Sequence, residues 1–170
     1  MSDDIPDFRP GLLYEQAYES ALGRMLVRFN MLEVSVGQVL EGAMSKLGVP
    51  HLYRVDDYYR QKVDRLELAL CALPTWPKPD FDRLRRINGW RNEIAHGHFA
   101  QDPNTAAYRT TPVHKRGAKD AGITPEMIDE YTRAAIDAWA EVGMLMAYVW
   151  FDDPPAGAMR MPESENGAGA

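Results

Sequence analysis

One run of apolar residues limits what this chain can fold into more than any other feature. Leu13, Tyr18, Leu22, Met25, Phe29, Leu32, Val36, Leu40, Ala43 and Leu47 recur at mostly three- and four-residue steps. That period keeps one face of an α-helix apolar for about ten turns. Pro10 suits the first turn, and Gly48 before Val49-Pro50 is a stop signal. A helix that long must be covered by other helices along its length. Gly23, Gly37 and Gly42 mark places where it bends or where a neighbour comes close.

Three further helices follow from the same reasoning. One is expected from Asp56 or Asp57 to Ala72, burying Val63, Leu66 and Leu70. Pro74, Pro77 and Pro79 then interrupt the chain, and Asp80 caps a third helix that ends near His96. Thr124-Pro125-Glu126 has a cap, a first-turn proline and a first-turn acid, and opens the last helix. That helix buries Ile128, Tyr131, Ala135, Ala138, Val142 and Leu145. Its end, Val142 to Phe151, carries no charge on any face, which predicts a homodimer contact. Residues 97–123 form a long connection. The turn signal Asp102-Pro103-Asn104-Thr105 predicts that the flanking His98–Gln101 and Ala107–Val113 pair as a short hairpin. The expected fold is therefore all-α, a four-to-five-helix bundle with a short β-hairpin between the last two helices. It forms a single domain over 10–153, with flexible termini at 1–9 and 154–170.

Composition narrows the function classes. Cys71 is the only cysteine, so neither an internal disulfide nor a cysteine-based zinc site can form. The acidic start and the lack of an uncharged 18-residue apolar run predict a cytoplasmic protein with no membrane partner. The net charge of −6 argues against a generic nucleic-acid binder. The charge is uneven, however. Residues 78–119 hold nine Lys/Arg against four acids, or +5, which leaves −11 for the rest. Arg86, Arg109, Lys115 and Arg116 in that segment are candidate RNA contacts.

The basic segment contains Trp90-Arg91-Asn92-Glu93-Ile94-Ala95-His96-Gly97-His98. On a helix, Leu84, Ile87, Ile94 and Ala95 share an apolar stripe, and Arg91 falls inside it. A charge among core residues needs a partner or a purpose. Glu33, at the edge of the first helix's stripe, is the expected partner. His96-x-His98 offers only two imidazoles, too few for a metal site without a nearby carboxylate or thiolate.

Arg91-Asn92-x-x-x-His96 resembles the signature of the HEPN superfamily (higher eukaryotes and prokaryotes nucleotide-binding). Those domains are helical bundles with an Arg, a following polar residue and a His near the end of a helix. The resemblance implies a metal-independent endoribonuclease with no cofactor, commonly dimeric, with two motifs meeting across the subunit boundary. It further implies a toxin or phage-defence role, with an antitoxin or other defence partner. Arg91, Asn92 and His96 would be catalytic, with Glu33, Glu93 and His98 in support. The chemistry is coherent: an imidazole transfers protons near neutral pH, and a guanidinium braces a phosphate through paired hydrogen bonds. The alternative expectation is a non-catalytic interaction or RNA-binding module of the same fold, with Arg91 paired to Glu33 and His96 capping its helix.

Overall fold

The computed structural model describes residues 12–96, 98–101, 108–111 and 123–151, with side chains for 16–95 and 123–151. The expected termini at 1–9 and 154–170, the Pro10 helix start, Gly97, the turn at 102–105, Lys115 and Arg116 lie outside the described residues. So do the side chains of His96, His98 and Arg109.

Four α-helices make up the described bundle: α1 (Leu12–Lys46), α2 (Tyr59–Cys71), α3 (Phe81–His96) and α4 (Pro125–Trp150). A single 3-10 turn, Pro50–Leu52, follows α1. Between α3 and α4, β1 (His98–Gln101) lies antiparallel to β2 (Tyr108–Thr111), with His98 opposite Thr111 and Ala100 opposite Arg109. No helix among the described residues is long and apolar enough to cross a membrane.

The 35 residues of α1 span ~52 Å at 1.5 Å per residue. Its stop is a Schellman motif. Gly48 adopts φ 74°, its N–H donates to the Ser45 carbonyl at 3.0 Å, and the Val49 N–H donates to the Met44 carbonyl at 2.9 Å. Apart from half-buried Leu22, the apolar stripe of α1 is buried from Tyr18 to Ala43, together with Leu66, Leu70, Leu84, Ile87, Ile94, Ile128, Val142 and Leu145. Burying one such aliphatic side chain contributes about 1.5–3 kcal/mol.

The pairing of α1 with α4 is the most extensive in the structure. Arg24 reaches Asp129 at 2.9 Å, and Gly42 lies against Val149. Residue numbers rise together along both helices, so α1 and α4 run parallel. A Cβ at Gly42 would overlap the Val149 side chain, so this glycine sets how closely the two helices approach. Gly37 faces the Tyr53 hydroxyl, and Gly23 meets nothing.

Two helix starts follow their caps. Asp80 Oδ1 accepts the Arg83 N–H at 2.8 Å, and Thr124 Oγ1 accepts the Met127 N–H at 3.4 Å. The start of α2 differs from the expectation by two to three residues. Asp57 does not cap it; its carboxylate is held by Arg65 at 2.7 Å. The Gln61 side chain instead accepts the Tyr58 N–H at 3.0 Å, and α2 begins at Tyr59. Two expected core positions also differ. Ala95 is exposed, and Tyr131 is half-buried, stacked on Trp90 with ring centroids 4.3 Å apart. Thr132 is buried in its place, its hydroxyl donating to the Ile128 carbonyl at 2.8 Å.

Candidate functional site

The stripe Leu84–Ile87–Ile94 fastens α3 to the core, and its spacing carries Arg91 inward with it. The Arg91 side chain is half-buried, and its Nε is sealed from solvent with no hydrogen-bond partner among the described residues. Its guanidinium carbon lies 5.6 Å from the centroid of the Phe29 ring, within cation–π range. One terminal nitrogen donates to Asn92 Oδ1 at 3.2 Å, so Asn92 helps to fix the Arg91 rotamer.

The expected pairing of Arg91 with Glu33 is not what the structure shows. Glu33 accepts from Lys62 Nζ at 3.3 Å. The reason is the placement of α2, whose first turns pack against α1 at the level of Phe29 and Glu33. The rings of Phe29 and Tyr59 are 4.9 Å apart, and Lys62 lies one turn further along. With Glu33 taken, Arg91 has no carboxylate partner among the described residues.

Phe29, Glu33, Tyr58, Tyr59, Lys62, Asn88, Arg91 and Asn92 line one cleft of about 450 Å³ between α1, α2 and α3. Tyr59 is 4% exposed, and its hydroxyl is buried without a hydrogen-bond partner among the described residues. Burial, and next the charge of Glu33, hold this phenol far above its ordinary pKa, so it stays a protonated donor. Sequence reasoning missed Tyr58, Tyr59, Asn88 and Lys62. A signal was present on α3, where Asn88, Arg91 and Asn92 interrupt the apolar pattern at three- and four-residue spacing.

The other expected site residues are more scattered. His96 is the last residue of α3, five positions beyond Arg91. Its Cα is therefore about 140° around the helix axis and ~7.5 Å along it from that of Arg91. His98 opens β1, and Arg109 lies in β2. Glu93 is half-buried, and its charge adds to burial in raising the Tyr131 pKa. Arg86 is exposed on α3.

The local excess of positive charge is smaller in space than in sequence. Arg83 pairs with Glu141, and Arg85 pairs with Glu67, with Asp64 at 2.9 Å and with Asp82 at 3.4 Å. These pairs tie α3 to α4 and to α2. Among the described residues, no group of three or more His, Cys, Asp or Glu is placed to hold a metal ion.

The arrangement offers an inward cation and a buried phenol donor in a polar cleft, with amides on one wall. Such a set binds an acceptor-rich ligand, an oxyanion above all. Compared with protein-family models, with curated proteins and with solved structures, the chain finds no match.

Proposed function

We propose that this chain is a HEPN-like, metal-independent endoribonuclease acting as a homodimer. The observation that carries the reading is Arg91, a half-buried guanidinium without a carboxylate partner among the described residues, opening on a cleft. A cation held there without a counter-charge is suited to a phosphate. Its place in the Arg91-Asn92-x-x-x-His96 motif supplies the rest of the reading.

In this scheme His96 takes the proton of an RNA 2′-OH as that oxygen bonds to phosphorus. The P–O5′ bond breaks, and the leaving oxygen takes up a proton from an imidazolium, that of His96 or of its copy in the dimer. Arg91 balances the charge that builds on the phosphate oxygens. The products are a 2′,3′-cyclic phosphate and a 5′-OH. Trp150 and Phe151, 72% and 56% exposed at the end of α4, offer a contact between copies. They lie about 28 Å along α4 from Tyr131, which stacks on Trp90 beside the motif, so a site shared by two copies needs a separate contact at the end of α3. A toxin or phage-defence role, with an antitoxin or other defence partner, fits such an activity.

The test is purified protein incubated with total RNA in chelator, wild type beside His96→Ala. Cyclic-phosphate ends made only by wild type are expected. A 5′-phosphate product, or activity abolished by chelator, points to a metal-activated water and overturns the scheme. Light scattering should report about twice 19.2 kDa. A dimer that cleaves no RNA leaves the non-catalytic interaction module, the reading that exposed Trp150 and Phe151 favour by themselves.

A further inference from the structure

The outer face of α4 carries apolar residues that no described element covers. Ile136 and Trp139 are 37% and 38% exposed, and Trp150 is exposed at the helix end. Ala140 and Gly143 are exposed between them. Trp139, Gly143, Met146 and Trp150 follow one another at steps of four, three and four residues. At 100° per residue they share an arc of about 60°. Asp137 and Glu141, the acids of this half of the helix, fall more than about 100° outside that arc. Glu141 is also engaged by Arg83 of α3. The stripe itself carries no charge, so two such stripes can meet without opposing like charges.

The spacing of the four residues is the same from either end. An antiparallel copy of α4, on a two-fold axis passing between Met144 and Leu145, sets Trp139 opposite Trp150 and Gly143 opposite Met146. Among the described residues nothing lies within 4 Å of where a Cβ on Gly143 would sit. That opening receives the Met146 side chain of a second copy. Beside the stripe, Gln38 and Glu41 of α1 and Met146 and Trp150 of α4 wall a groove of about 530 Å³. A Trp139 brought opposite Trp150 meets that open groove rather than a wall. A copy of the chain matches this symmetry by construction, whereas a foreign helix has no reason to.

The available area is sufficient. At their exposures, Trp139, Trp150 and Phe151 offer on the order of 350 Å² per copy. Two copies, with Ile136 and the groove walls included, reach the ~1,000 Å² that a specific contact needs.

We propose that the outer face of α4 docks a second copy of this chain, antiparallel, with each Trp139 against the other copy's Trp150 and each Met146 in the space above the other copy's Gly143. Tyr131, stacked on Trp90, lies ~20 Å along α4 from the two-fold axis. The contact therefore holds the two Trp90–Tyr131 pairs, and the motifs beside them, about 40 Å apart. It is distinct from any pairing of the motifs and does not depend on the ribonuclease reading.

Light scattering of full-length protein over a concentration series, read against 19.2 kDa for one chain, tests the contact. Wild type should associate at micromolar concentration. Trp150→Asp should weaken the association at least ~30-fold, the scale for one buried Trp anchor. Gly143→Leu should weaken it as well, with helical content unchanged by circular dichroism, because leucine suits a helix better than glycine and the position is open within one chain. Leu68→Asp, at a side chain 71% exposed on α2, should change nothing. A wild-type monomer, a Gly143→Leu protein that associates as tightly as wild type, or an equal loss with Leu68→Asp overturns the contact, even if the chain cleaves RNA. Cleavage is the second arm, and Trp150→Asp should keep the wild-type rate per chain. If cleavage disappears with the association, the motifs meet at this contact and their separation is overturned. Association through α4 by a wild-type protein that leaves RNA intact upholds the contact and overturns the ribonuclease reading instead.

Discussion

Arg85 and Arg91 lie six residues apart on α3, and the bundle surrounds them differently. Arg85 faces three carboxylates, Glu67, Asp64 and Asp82, and with Arg83–Glu141 and the Asp80 cap it fastens the first half of the helix to its neighbours. The hydrogen bonds it donates to Glu67 and Asp64 are the chief cause of its raised pKa. Arg91, half-buried like Arg85, has only Asn92 and the face of Phe29. A fold selected for stability alone would supply both arginines with carboxylates, because an uncompensated charge is costly away from water. The first half of α3 is thus built as an anchor. The second half leaves Arg91 without a carboxylate partner among the described residues.

The largest effect that sharpens this contrast is expected at the helix end. His96→Ala should lower RNA cleavage by at least ~100-fold, the usual share of a general acid–base group, with the circular dichroism spectrum unchanged. His98→Ala should do far less, and a reversal of that order in a cleavage time course breaks the assignment. Next is Arg91→Ala, expected to reduce cleavage by about 10²–10³-fold, the scale for removing a donor to a developing oxyanion. Its Tm should move little, since no carboxylate partner is stranded and an unsatisfied Nε–H is removed. A large loss of stability would mean that Arg91 is an anchor as well, and the two halves of the helix would no longer differ.

The long helix, the Asp80 and Thr124 caps and the inward position of Arg91 could all be read from the chain, because each depends on residues close in sequence. The partner of Glu33 could not. Periodicity on α1 and α3 places Glu33 and Arg91 on inward-facing edges but says nothing of α2, which brings Lys62 to Glu33. Tyr58 and Tyr59 were missed for a related reason. They are adjacent in sequence, yet one is exposed and the other buried, and only the fold decides which. The late start of α2 also reflects a distant choice, since Asp57 is engaged by Arg65, two turns further on.

Smaller effects are expected in the anchoring half. Asp80→Ala should cost about 1 kcal/mol, the usual loss for an N-cap, read by chemical denaturation with cleavage unchanged. Arg85→Ala should cost no more than about 1 kcal/mol, because its partners Asp64 and Glu67 are nearly half exposed and screened by solvent. If either variant loses cleavage in proportion to His96→Ala, the anchor is also part of the site.

The parallel run of α1 and α4 bears on how the chain is made. Of the four helices described, the one made first finds its most extensive partner in the one made last. The face of α1 that α4 covers has no lasting cover until translation has passed Trp150. At ~5–20 residues per second, the stretch from the end of α3 to that point takes on the order of several seconds. Closing contacts between such distant segments is slow and entropically costly. The newborn chain therefore exposes a long apolar ridge during synthesis, and it is then that a chaperone, or a second nascent copy, has most to bind.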